Sequence, residues 1–96
     1  AVGTRVTLDR IVQVRKVESI LRSVGCIQFR ARWHEIEEDA MVRIELGANE
    51  LQLILNPEVR ETIVEAAKQV GFRWVTLDLM GYQKGSGSTR EETSQP

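Results

Sequence analysis

Arg30, Arg32 and Arg43 are the side chains of this sequence with the most chemistry to offer. Arg30 and Arg32 alternate with Phe29, Ala31 and Trp33, and Arg43 alternates with Val42 and Ile44. This period of two is that of half-buried strands. If the acidic stretch 34–39 is a hairpin turn, Trp33 pairs with Ala40, Arg30 falls opposite Arg43, Arg32 opposite Met41 and Gln28 opposite Glu45. The three arginines then share one sheet face. Like charges opposed across strands repel, whereas guanidinium forks match the oxygens of phosphates and carboxylates. A bound phosphate would relieve that conflict. The competing reading is the solvated side of a sheet covered on one face only.

Glu18 and Glu45 are the carboxylates to set beside these arginines. Glu18 borders a helical apolar stripe, four residues after Val14 and three before Leu21. With Glu45 it could form a metal site or an acid–base pair; alternatively it makes a local ion pair with Arg15 or Arg22. His34 adjoins Glu35, Glu37, Glu38 and Asp39, a run that could hold a hard cation or simply be solvated. Cys26 follows a helix-stopping glycine and has no helix N-terminus beside it to lower its pKa, so it reads as packing rather than as a nucleophile. Phe29, Trp33, Phe72 and Trp74 could stack on bases, but the alternation puts most of them where a core also wants them. The sequence contains no Walker loop, dinucleotide fingerprint, serine elbow or zinc motif.

Helices and strands must position these groups. Thr7 reads as an N-cap with Asp9 in the first turn, and Leu8, Ile11, Val14, Val17, Leu21 and Val24 recur at helical spacing up to Gly25. Two strands follow, then one or two helical turns over 50–55. Asn56 and Pro57 open a second helix that Gly71 closes, and a third strand alternates from Trp74 to Leu79. The order α-β-β-α-β predicts an α+β domain, a small and mainly antiparallel three-stranded sheet with helices packed on one face. Residues 1–80 form this domain, and 81–96, almost without apolar residues, read as a flexible tail. Ninety-six residues allow one core. The net charge of -1 argues against nucleic acid or anionic membranes as partners, and no apolar run is long enough to span a bilayer. One cysteine suits a reducing, cytoplasmic compartment. A start at Ala-Val-Gly, without Met or a signal-peptide core, reads as a fragment of a longer chain.

The segment VTLDLMGYQKGS, from Val75 to Ser86, resembles the closing motif of the ATP-dependent sacrificial sulfur transferases of nickel pincer nucleotide biosynthesis. Further segments are similar in the same order. GTRVTLDRIVQVRKVESILRSVG resembles the family's helix after the sulfur-donor cysteine, FRARWH its two-arginine strand, MVRIEL the next strand, and LNPEVRETIVEAAKQVGFRWVTLDL its last helix and strand. The resemblance implies a C-terminal domain whose parent carries an N-terminal ATP pyrophosphatase domain of the PP-loop type. That parent would use ATP and magnesium to adenylylate a pyridinium carboxylate mononucleotide before sulfur is transferred, while this domain alone binds no cofactor. It also implies that Arg30 and Arg32 contact phosphate and that Glu18 and Glu45 belong to an acidic substrate or metal region. The sequence departs from the family in two places. The stretch after His34 is longer and acidic where the family has a Gly-Asp turn, and Gln83 stands where a basic residue is common.

The leading expectation is a substrate-binding and oligomerising domain of a sulfur transferase, inactive alone, whose partners are the missing PP-loop domain and sister subunits. The apolar face not covered by the helices would dock on them. The alternatives are a non-catalytic module that binds a phosphorylated metabolite or a protein, and RNA binding by the sheet, which the net charge disfavours.

Overall fold

The computed structural model describes residues 2–83. Its elements run α1 (Val2–Ser23), β1 (Phe29–Ile36), β2 (Asp39–Leu46), a 3-10 segment (Ala48–Leu55), α2 (Pro57–Gln69) and β3 (Phe72–Leu77). The sheet order is β1-β2-β3. β1 and β2 pair antiparallel in the longer of the two ladders, and β2 and β3 pair parallel. This is the α+β arrangement that the pattern predicts.

Helix α1 starts earlier than expected, so Thr7 lies inside it rather than capping it. Nothing in Val2–Val6 forbids helical backbone, and a threonine signals a cap only where the chain turns. Val17 and Leu21 are fully buried, with Val14, Ile20 and Val24 packed around them, but Ile11 and Val12 are exposed. Between Ile11 and Val24 the apolar stripe of α1 is therefore covered from Val14 onward. Gly25 ends the connection at φ +109°, a conformation that side chains with a Cβ rarely adopt.

Alternation predicts a strand from Ile27, yet β1 begins at Phe29 and Ile27 is exposed. The Glu50 carboxylate accepts the backbone N–H groups of Ile27 at 2.7 Å and Gln28 at 3.2 Å. Those donors are satisfied by a side chain instead of a ladder. The 3-10 segment that carries Glu50 stops where Asn56 precedes Pro57, since a residue before proline avoids helical backbone. Asn56 then caps α2 by accepting the Glu58 N–H at 2.9 Å.

The hairpin is a correction. The expected turn over 34–39 is strand through Ile36, then a two-residue connection of Glu37 and Glu38, then strand from Asp39. Both glutamates have positive φ, 51° and 72°, the pattern of a type I′ turn. The register differs from the expected one by two residues. Arg30 faces Glu45, Arg32 faces Arg43, Trp33 faces Val42, and Ala40 faces Glu35. An even slip keeps every side chain on its face, so Arg30, Arg32 and Arg43 still share one.

The core lies between the sheet and the helices. Val17 and Leu21 of α1, Ala31 of β1, Val42, Ile44 and Leu46 of β2, Ile63 and Ala67 of α2, and Phe72 of β3 form one buried cluster with Cys26. Gln13 ties its edges together, donating to the Val70 carbonyl and accepting the Trp33 indole N–H, both at 2.8 Å. Beyond β3 the chain turns sharply. Met80 N–H donates to the Asp78 carboxylate, Gly81 N–H to the Asp78 carbonyl, and Tyr82 N–H to the Leu46 carbonyl. This turn leaves Leu79 exposed, where alternation predicts a strand residue, and returns Tyr82 to the sheet. The expected tail is described only to Gln83; residues 84–96 lie outside the described residues.

Candidate functional site

The face of the sheet away from the helices is polar. It carries Arg30, Arg32 and His34 of β1, Met41, Arg43 and Glu45 of β2, and Trp74 and Thr76 of β3, with Asp78 just beyond. The pleat sets this division: Phe29, Ala31, Val42, Ile44 and Leu46 turn to the core, so their neighbours turn away.

Glu45 is the centre of the network. Its Oε2 accepts Nε–H of Arg32 at 2.9 Å and Nη1–H of Arg43 at 2.8 Å, and only 9% of its side chain is exposed. Arg43 also donates from Nη1 to the Asp78 carboxylate and from Nε to His34 Nε2, at 2.6 and 3.1 Å. The repulsion between the opposed Arg32 and Arg43 is therefore relieved inside the protein, by a carboxylate diagonally placed on the same face. The Met80 N–H, and then the Arg43 guanidinium, hold the Asp78 carboxyl below its ordinary pKa against a partial desolvation.

Arg30 stands apart. It is exposed, with its guanidinium 5.9 Å from the Tyr82 ring centroid, and it has no carboxylate partner among the described residues. Arg32 spends only Nε on Glu45, and its Nη groups have no protein partner among the described residues. Three guanidiniums thus face two carboxylates. Beside them lies an open concavity of about 570 Å³ around the outer strand β1, lined by Glu18, Arg30, Arg32, Trp33, His34 and Arg43. A larger hollow of about 750 Å³, between Arg60 and Gln69, presents charges of both signs from α2.

The site residues expected from the sequence divide accordingly. Arg30 and Arg32 offer donors to the concavity, whereas Arg43 is largely used as a strut. Glu18 reaches the concavity's rim from α1, and it has no ion pair with Arg15 or Arg22 among the described residues. Glu45 is not in that lining, and its carboxylate is committed to two guanidiniums, so the Glu18–Glu45 pair does not suit a hard cation. Among the described residues, no group of three or more His, Cys, Asp or Glu side chains could hold a metal. Cys26 is buried, and desolvation, with the Glu50 charge, pushes its thiol up to about 11. It stays a protonated thiol at neutral pH. Of the four aromatics weighed for base stacking, Phe72 is core, Phe29 and Trp33 pack against the core, and Trp74 lies on the polar face. Sequence reasoning missed Asp78 and Tyr82 as parts of this face, although both sit in the segment quoted for the family resemblance. No helix among the described residues is long and apolar enough to cross a membrane.

No protein-family model matches the chain. It is 38% identical over 85 residues to the pyridinium-3,5-bisthiocarboxylic acid mononucleotide synthase of Lactiplantibacillus plantarum. This domain is a relative of the sulfur transferases of nickel pincer nucleotide biosynthesis. The similarity covers 86% of the chain and 28% of the synthase. An uncharacterized protein of Synechocystis sp. is 34% identical over 83 residues, again 86% of this chain and 30% of that protein. The chain thus spans less than a third of the length of these relatives.

Proposed function

We propose that this domain binds the substrate of an ATP-dependent sulfur transferase acting on a pyridinium carboxylate mononucleotide, and has no turnover by itself. The observation that carries this reading is the excess of guanidinium over carboxylate on the polar face, with the Nη groups of Arg32 and the whole of Arg30 open to an anion. Arg30 and Arg32 take the ligand's phosphate, charge-assisted contacts that orient as well as bind. Arg43 ties β2 to β1 through His34 and to the end of β3 through Asp78, and braces Glu45 on its own strand. Glu18 approaches the same concavity and meets the positive part of the ligand, the pyridinium ring. ATP and magnesium belong to a PP-loop domain elsewhere in the longer protein. That domain and sister subunits are the partners we assign to this one, and the exposed Ile27, Leu55, Leu79 and Met80 support such contacts.

The test is ATP-dependent sulfur transfer by the full-length protein with Arg30→Ala and Arg32→Ala. The expected result is a KM for the mononucleotide raised at least about tenfold by each, the loss of roughly 1.4 kcal/mol of charge-assisted binding. Unchanged KM in both variants would contradict the assignment. A full-length protein that binds phosphate on this face and turns over no ATP would instead be a non-catalytic module for a phosphorylated metabolite.

A further inference from the structure

His34 sits in the same concavity and accepts a hydrogen bond from Arg43. An arginine Nε–H can only donate, so the His34 Nε2 that lies 3.1 Å from it presents a lone pair. That acceptor role is the one the imidazole plays with its proton on Nδ1, and in it His34 occupies a donor that Arg43 could otherwise turn to a ligand. The groups around it carry both signs, but among the described residues every carboxylate in this group except Glu18 is engaged by an arginine. Arg32 is its neighbour on the polar face of β1, Met41 faces it from β2, and Trp74 stands beside Met41 on β3. Arg43 touches it, Glu18 shares the concavity's lining, and Glu35 follows it on the opposite face of the strand with Arg10 as its partner. Glu45 and Asp78 are held by Arg43.

We propose that His34 is a further anion-binding residue of this site, and that His34 Nε2 takes up one proton from solvent when an anion binds there. The inference rests on the arginine-face reading above. Proton addition at Nε2 removes the acceptor, frees Arg43 Nε–H, and turns His34 Nε2 into a donor itself. Two donors and one positive charge are added to the concavity in one step. Without a ligand, a cationic His34 beside Arg32 and Arg43 is opposed by like charge; with a dianion present that opposition is offset. Protonation and anion binding therefore favour each other, and by linkage each strengthens the other by the same factor.

Sulfate is the probe, because it stays a dianion throughout the range in which histidine titrates, about pH 5.5 to 8.5. Sulfate affinity of the full chain is expected to fall roughly fivefold or more from the acid to the alkaline end. The NMR titration midpoint of the His34 ring should rise in sulfate by the matching amount, about 0.7 unit for fivefold. His34→Gln keeps an acceptor for Arg43 but cannot take a proton, so it should bind sulfate with a pH-independent affinity near the alkaline value. Sulfate binding that is independent of pH, or a His34 midpoint that sulfate does not move, would overturn the proposal while leaving the arginine site intact. Absence of sulfate binding at every pH would remove the arginine site as well.

Discussion

Arg43 Nη1 lies 2.8 Å from Glu45 Oε2, and this contact joins two roles that look alike in the sequence: an arginine that supports the sheet and arginines that face a ligand. Arg43 is a strut with three protein partners, while Arg30 has no carboxylate partner among the described residues. Arg43→Ala should destabilise the domain by about 1–3 kcal/mol, because it strips one of its two guanidinium partners from the nearly buried Glu45. Arg30→Ala should change stability by no more than about 0.5 kcal/mol. Urea unfolding of both variants checks the contrast, and equal losses would erase the distinction.

Cys26 should make the domain sensitive to alkali. Its folded-state pKa is raised to about 11, so its stabilisation is complete below the unfolded thiol's value and is lost as pH climbs through about 11. The loss should be no more than about 3 kcal/mol. Comparing wild type with Cys26→Ala in urea from neutral to strongly alkaline pH isolates it, and identical slopes would contradict the assignment.

Asp78 works in the opposite direction. Its folded pKa is lowered, chiefly by the Met80 N–H, so its contribution is present above the ordinary carboxylate value and disappears as pH falls through the depressed one. Asp78→Asn should therefore lose stability at neutral pH and show a shallower acid limb than wild type. A variant that matches wild type throughout the acid range would show that the turn at Met80 does not depend on this carboxylate.

The Glu37–Glu38 turn stores strain, since both residues take positive φ without being glycine. Replacing the pair by Asn-Gly should stabilise the domain by about 1 kcal/mol, read as a raised urea midpoint with unchanged m. A lowered midpoint would mean that the glutamates make stabilising contacts beyond the turn.

The strands and helices were legible because their periods are clear: Asn56-Pro57 and Gly71 mark α2, and alternation marks β1 and β2. The register was not, because charged glutamates at 37 and 38 conceal a two-residue turn that Asn-Gly would have announced. The shared face of Arg30, Arg32 and Arg43 nevertheless survived, as an even slip preserves the pleat. What alternation could not reveal is that Glu45 relieves the Arg32–Arg43 conflict from within. That depends on a diagonal contact, and on Asp78, which reaches the network only because the chain turns after β3.

The most direct measurement is a residue-resolved NMR titration of the chain with a nucleoside monophosphate, repeated for Arg30→Ala and Arg32→Ala. The account predicts saturable shifts along β1 and at Tyr82, weakened at least about tenfold by either substitution. Shifts that persist unchanged in both variants, or that map to α2 instead, would contradict it.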